Sequence, residues 1–230
     1  MCTQSHTSIV AKARLAVLTL ALLAGSLLSV TSSQAQTLPG VQPENLTYDI
    51  IYQLGFLWKR AATATLQLTV RPNSYHSVMT ARTLPFADNI FRVRDTLVAD
   101  MRRNSNLLPI YYAKLADEGG TYRKDEVHYS HTESATTGKI RLYRPKRNAI
   151  EDYTLTEPGI VYDMLSIFYV IRAFDFRAMT MNQLYKTKIF SGKSLEYLDI
   201  EYLGQEILKQ NKKEYSTCLL YTSPSPRDRQ

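Results

Sequence analysis

Cysteine, glycine and tryptophan are scarce in this 230-residue chain, with two, nine and one respectively. Two cysteines exclude a disulfide-stapled miniature scaffold and a four-cysteine zinc site. Charged residues make up 21% against 44% hydrophobic ones, which excludes a disordered tail, and no collagen-like or heptad repeat is present. Beyond the first 35 residues no apolar run is long enough to span a bilayer. What the chain has in quantity is tyrosine, at sixteen residues, which suits a β-leaning globular protein. One domain is the default at this length, and such a chain buries roughly 70% of its unfolded surface without a disulfide or a metal.

The two ends differ from the middle. Lys12 and Arg14 precede an apolar stretch from Leu15 to Val30, interrupted by Thr19, Gly25, Ser26 and Ser29 and followed by Ser33-Gln34-Ala35. A basic start, a short apolar core and small closing residues form the layout of a secretory signal, so residues 1–35 are expected to be cleaved after Ala35. An uncleaved membrane anchor is the alternative reading of that stretch. Cys2 precedes the apolar core and is not placed for lipid modification. Residues 36–45 read as a linker and 46–217 as a single β-rich domain, incomplete at its C-terminus. Residues 218–230, beginning CLLYTSPSPRD, look like read-through of a sequencing-library adapter, with a flexible native tail as the alternative. Between 36 and 217 there are 24 basic and 20 acidic residues, too even a balance for a nucleic-acid-binding face. No cysteine lies in that range, which removes thiol catalysis, disulfides and Cys-ligated zinc.

Alternation at period two dominates the domain. Leu46, Tyr48, Ile50, Tyr52 and Leu54 form one face of a first strand; in a second, Trp58, Ala62, Ala64, Leu66, Leu68 and Val70 alternate with Thr63, Thr65, Gln67, Thr69 and Arg71. Further strands are expected at 74–83, 91–102, 108–117, 121–130, 139–144, 148–154, 183–190, 194–203, 206–209 and 213–217. Polar alternation across them means one wetted face and an antiparallel sheet. The absence of a βαβ rhythm excludes a doubly wound nucleotide-binding fold. From Val161 to Phe174 the spacing turns helical, with Met164, Ile167, Phe168 and Ile171 as an apolar stripe and Asp163 as the cap. The expected class is mainly β (α+β): a long curved antiparallel sheet or partly closed barrel with one helix packed against it.

Asp163-Met164-Leu165-Ser166-Ile167-Phe168-Tyr169-Val170-Ile171-Arg172 resembles the D-x-L-S-x-x-Y-x-x-R signature of the bacterial family called domain of unknown function 3108. Tyr48 with Gly55, the Phe91 to Asp95 segment, Pro109 with Tyr111 and Tyr112, Gly120 with Tyr122, and Tyr202-Leu203-Gly204-Gln205-Glu206 agree with it in order. The likeness spans roughly 44 to 217. It departs at Ala61-Ala62, where the family carries glycine, and after Tyr215, where closing strands are expected. The resemblance implies an exported envelope protein of unassigned function.

Within the signature, Asp163, Ser166, Tyr169 and Arg172 recur every three residues along one ridge of the helix. One reading aims Ser166, Tyr169 and Arg172, together with Trp58, at an anionic ligand head group. The other makes Asp163 a structural cap, Ser166 a small residue permitting close approach and Arg172 a clamp on a strand carbonyl or carboxylate. Glu126, His128, His131 and Glu133 have metal-ligand chemistry, but Glu126 and His128 share a strand face while His131 has the opposite parity, so no metal site is expected. No G-x-S-x-G elbow, His-Glu-x-x-His pair or phosphate-cradling loop is present. The basic residues Arg141, Arg144, Lys146 and Arg147, with Arg92, Arg94, Arg102 and Arg103, read as a solubilising face or an anionic-lipid contact.

These observations lean away from an enzyme and call for no cofactor. The first expectation is an exported binding protein holding a lipid or other amphiphile in the sheet's concavity. A structural or interaction module of the cell envelope is the alternative, and a metal-assisted hydrolase using Glu126, His128 and His131 is a weaker one. Partners from outside these classes, nucleic acid above all, are not expected, and nor is a membrane span once the signal is removed.

Overall fold

The computed structural model describes residues 38, 40–54, 57–210 and 212–224. The expected signal segment, and residues 225–230 of the expected tail, lie outside them. The first eight strands are β1 (Glu44–Leu54), β2 (Leu57–Val70), β3 (Ser74–Thr83), β4 (Arg94–Arg102), β5 (Pro109–Glu118), β6 (Thr121–His131), β7 (Ala135–Arg144) and β8 (Ala149–Pro158). Each pairs antiparallel with its neighbour in sequence, so the sheet is a meander in which β1 and β8 have no outer partner strand among the described residues. A second antiparallel sheet holds β9 (Gln183–Ser191), β10 (Ser194–Gln210) and β11 (Lys213–Pro224) in the order β11-β10-β9. Between the two sheets in sequence runs the nine-residue helix α2 (Met164–Arg172); a one-turn helix, α1 (Pro85–Asp88), lies between β3 and β4. The chain is mainly β, as expected, and its large sheet does not close.

Period-two alternation decides which face is buried. Ala62, Ala64, Leu66 and Leu68 of β2, Ala99 and Met101 of β4, Tyr112 of β5, Val127 and Tyr129 of β6, and Ile140 and Leu142 of β7 all point to the inner face. Leu165, Ile167, Tyr169 and Val170 of α2 cover it together with Phe190 of β9 and Ile200 of β10. Phe190 is wholly buried and stacks on Tyr129 with ring centroids 5.9 Å apart, which contributes about 2–3 kcal/mol of burial. It reaches this depth because position 138 has no side chain: a Cβ there would sit 2.7 Å from Phe190 Cε2. A parallel bridge between Tyr162 and Ile189 joins the segment before α2 to β9.

The structure departs from the sequence reading in four places. Tyr48, Ile50 and Tyr52 of β1 are exposed, because β1 is an edge strand and α2 packs over β4 and β9 instead. On α2, Met164 and Phe168 of the expected apolar stripe are also exposed, while Leu165, Ser166 and Tyr169 are buried. The reason is the buried cap at Asp163 and Ser166, which sets the helix's rotation. The strands expected at 194–203 and 206–209 are one strand, β10, with a register shift between Tyr202 and Gly204. Gly204, at φ +112°, absorbs that shift as a bulge where the sequence suggested a break. Strand β11 continues past the expected stop at 217 to Pro224.

Candidate functional site

The four polar signature residues, the cap Asp163 and Ser166, Tyr169 and Arg172 of α2, all make contacts within the protein. Asp163 Oδ1 accepts hydrogen bonds from the amides of Leu165 (2.9 Å) and Ser166 (2.8 Å), while Ser166 Oγ donates to Asp163 Oδ2 at 2.8 Å and accepts from the Asp163 amide at 2.9 Å. This reciprocal capping box satisfies the first-turn donors inside the core. Burial pushes the Asp163 carboxyl up to about 6, against the opposing pull of those hydrogen bonds. Tyr169 is buried, with its hydroxyl accepting from Ser77 Oγ at 3.4 Å; burial raises its phenol to about 12. Arg172 donates from both Nη atoms to the Glu44 carboxylate, the Nη2–Oε2 bond measuring 2.9 Å. Trp58 lies far along β2, 68% exposed. The structure therefore does not bring Trp58 together with the helix ridge, and Ser166, Tyr169 and Arg172 are engaged internally.

The middle of the inner face, where an amphiphile was expected, is filled by Tyr169, Phe190, Leu165 and Val170. Open space lies toward the strand ends that meet the 84–93 segment and the β5–β6 turn. Over β5–β7 this end carries charge in the same alternation that the core uses. Asp95 continues the row of Ala99 on β4, Lys114 that of Tyr112 on β5, Arg123 and Asp125 that of Val127 on β6, and Arg144 that of Leu142 on β7. Around Tyr112, Lys114, Arg123, Asp125 and Arg144 lies a pocket of about 260 Å³, walled by Met164, Phe190 and the Ser191-Gly192 turn.

Over β1–β3 the same end of the strands is apolar. Ala61 is an extra residue in β2, where Ile50 pairs with Ala62 and Ile51 with Arg60; such a bulge redirects the strand. The bulge's carbonyl accepts the Leu84 amide at 2.9 Å, anchoring the start of the 84–93 segment. The far end of that segment is clipped by Arg94, whose Nη2 lies 2.6 Å from Asp88 Oδ2 and whose Nη1 lies 3.0 Å from Asp88 Oδ1. The guanidinium holds the Asp88 carboxyl below its usual range. Between hairpin and segment opens a cleft of about 470 Å³, lined by Tyr52, Ala61, Phe86, Ala87, Ile90 and Phe91, with Lys59 Nζ 3.9 Å over the Phe86 ring at its rim. Sequence reading missed this cleft because α1 is one turn long and the bulge leaves no periodic signal; the exposed pair Ile90-Phe91 beside Pro85 was the available clue.

The polar cluster singled out in β6 is divided between faces. Glu126 is bound by Lys124 (2.7 Å) and by the Tyr111 hydroxyl (2.6 Å), whereas His131 uses Nδ1 on Thr136 and Nε2 on the Pro109 carbonyl on the inner side. Among the described residues no group of three or more His, Cys, Asp or Glu side chains is arranged to hold a metal ion. Of the basic run, Arg92, Arg94, Arg141 and Arg144 are ion-paired with Asp117, Asp88, Asp152 and Asp125. Among the described residues no helix is long and apolar enough to cross a membrane.

A family model described as a protein of unknown function (DUF3108) matches residues 47–230. No curated protein and no solved structure matches the chain.

Proposed function

Because the chain belongs to that family, whose description carries no activity, we propose its function from geometry: it is a non-catalytic envelope protein that binds a single-chain amphiphile with an anionic head. The observation that carries this reading is the apolar cleft at the end of the β1–β2 hairpin. Its volume of about 470 Å³ falls among small-molecule sites of about 300–1,000 Å³. Its walls are held by the Ala61 bulge and the Asp88–Arg94 clip, so little ordering is left for the ligand to impose. Lys59, which makes no ion pair among the described residues, supplies a cation where a head group would emerge. The signal-like layout of residues 1–35 supports export to the envelope.

Mass spectrometry of organic extracts from the purified protein tests this directly, alongside isothermal titration with palmitate. A co-purifying amphiphile and saturable binding that Ile90→Glu abolishes are the expected results. No extractable amphiphile together with no saturable response would end the reading.

The edge strand β1 favours a second reading, in which an envelope protein docks by adding a strand. Tyr48, Ile50 and Ile51 are exposed on this strand, whose outer edge has no partner strand among the described residues, and such edges accept strands from other chains. Crosslinking in cells from position 48, followed by recovery of one defined partner, is the outcome this reading requires.

A further inference from the structure

We propose that the charged part of the inner face over β5–β7 is a second binding site, lined by other residues than the apolar cleft, for a small phosphate-class oxyanion. Tyr112 is 5% exposed and its hydroxyl has no hydrogen-bond partner among the described residues, a condition that native proteins rarely leave uncorrected. The ring lines the 260 Å³ pocket. Two residues further along β5, and therefore on the same face, Lys114 lines it too. Its ammonium lies 3.9 Å from Asp95 Oδ2 and 3.7 Å from Glu118 Oε1, close enough for attraction and too far for hydrogen bonds. A buried hydroxyl without a partner and a loosely paired ammonium thus belong to the wall of one part-buried space.

Arginines complete the lining. Arg123 places Nη2 2.8 Å from Glu118 Oε2, and Arg144 pairs through Nη1 with Asp125. Each is held by one branch of its guanidinium, and the fork geometry of arginine leaves further N–H groups for an anion. The carboxylates of Asp95, Glu118 and Asp125 balance the three cations, so the site selects by placed donors instead of by bulk charge. The helix amides of Leu165 and Ser166 are committed to Asp163 and take no part. Phe190 and Met164 form one wall, and about 260 Å³ is room for phosphate with a short substituent. A free phosphate ester and a phospholipid head group present the same chemistry.

Isothermal titration with inorganic phosphate, and flotation with phosphatidylglycerol vesicles, distinguish those sources on the full chain. Saturable binding of either probe is expected, weakened about tenfold or more by Tyr112→Phe and by Lys114→Gln, the scale of one charge-assisted hydrogen bond. Tyr112→Phe keeps the ring packed and removes only the orphaned hydroxyl, so its melting temperature should equal or exceed that of the parent. Phosphate binding alone identifies a soluble ligand and vesicle binding alone a head group. Absence of both, or binding that neither substitution weakens, overturns the proposal. Because these residues are remote from Ile90 and Phe86 in the chain and line a different space, failure here leaves the amphiphile reading standing, and the converse holds.

Discussion

Arg172, the last residue of α2, grips the carboxylate of Glu44, the first residue of β1, across 128 positions of sequence. The pair is part-buried, with side-chain exposures of 32% and 15%, and Gly40 passes over the Arg172 carbonyl so closely that a Cβ would collide with it. The entry of the chain into its first strand is thereby fixed to the end of the helix. Arg172→Gln should destabilise the protein by about 1–3 kcal/mol, because it leaves a partly desolvated carboxylate unpaired. Glu44→Gln should cost a similar amount, and the double variant much less than their sum. Urea unfolding of all four proteins measures the coupling; additive losses would show that the two side chains act independently.

Asp163 gives a pH dependence of unusual sign. Its carboxyl titrates near 6 when folded against an ordinary 3.8, so between those values the native state binds more protons than the unfolded one. Stability contributed by this group is therefore greatest below 3.8, falls as pH rises and is flat above about 6, a total of roughly 3 kcal/mol. Asp163→Asn keeps an acceptor at the cap and removes the titration. The stability difference between parent and variant should change across that window and stay constant above it. A carbon-detected titration placing the Asp163 carboxyl at or below 4 would refute the assignment.

Phe190 joins the two sheets through the space that Gly138 leaves. Gly138→Ala should cost about 1–3 kcal/mol by overpacking, and Phe190→Ala about 3–5 kcal/mol by cavity formation. Combining them should recover part of the loss, since the new methyl then faces a void. A double variant no more stable than the additive sum, measured by thermal unfolding, would mean that the backbone and not the ring adjusts.

The Asp88–Arg94 clip should hold the cleft wall without bearing on global stability. Asp88→Asn is expected to speed hydrogen exchange at Ile90 and Phe91 while shifting the unfolding free energy by no more than about 1 kcal/mol. Unchanged exchange in the 84–93 segment would show that the Leu84–Ala61 bond suffices.

Much of this was legible in the chain. Alternation placed Ala62, Ala64, Leu66 and Leu68 on the buried face of β2, and all four are buried; the helix around Ser166 and Tyr169 was equally plain from spacing. The failures share a cause, which is that period alone does not say what covers a face. Tyr48 and Ile50 follow the inward pattern yet lie on an edge beyond the reach of α2. Lys114 and Arg123 lie in phase with Tyr112 and Val127, and charges in phase with a core were the sequence-level sign of the polar pocket. Arg144 belongs in sequence to the basic run that continues through Lys146 and Arg147, yet it stands in phase with the buried Leu142 of β7.

The strict meander carries a kinetic consequence. Every strand pairs with its immediate neighbour in sequence, so each pairing closes only a short loop and the sheet can zip hairpin by hairpin at small entropic cost. Such ladders hold little free energy until their inner face is covered. The cooperative step is therefore the late arrival of α2 and Phe190, and the slow phase of refolding should respond to substitutions there and not to changes in the hairpin turns.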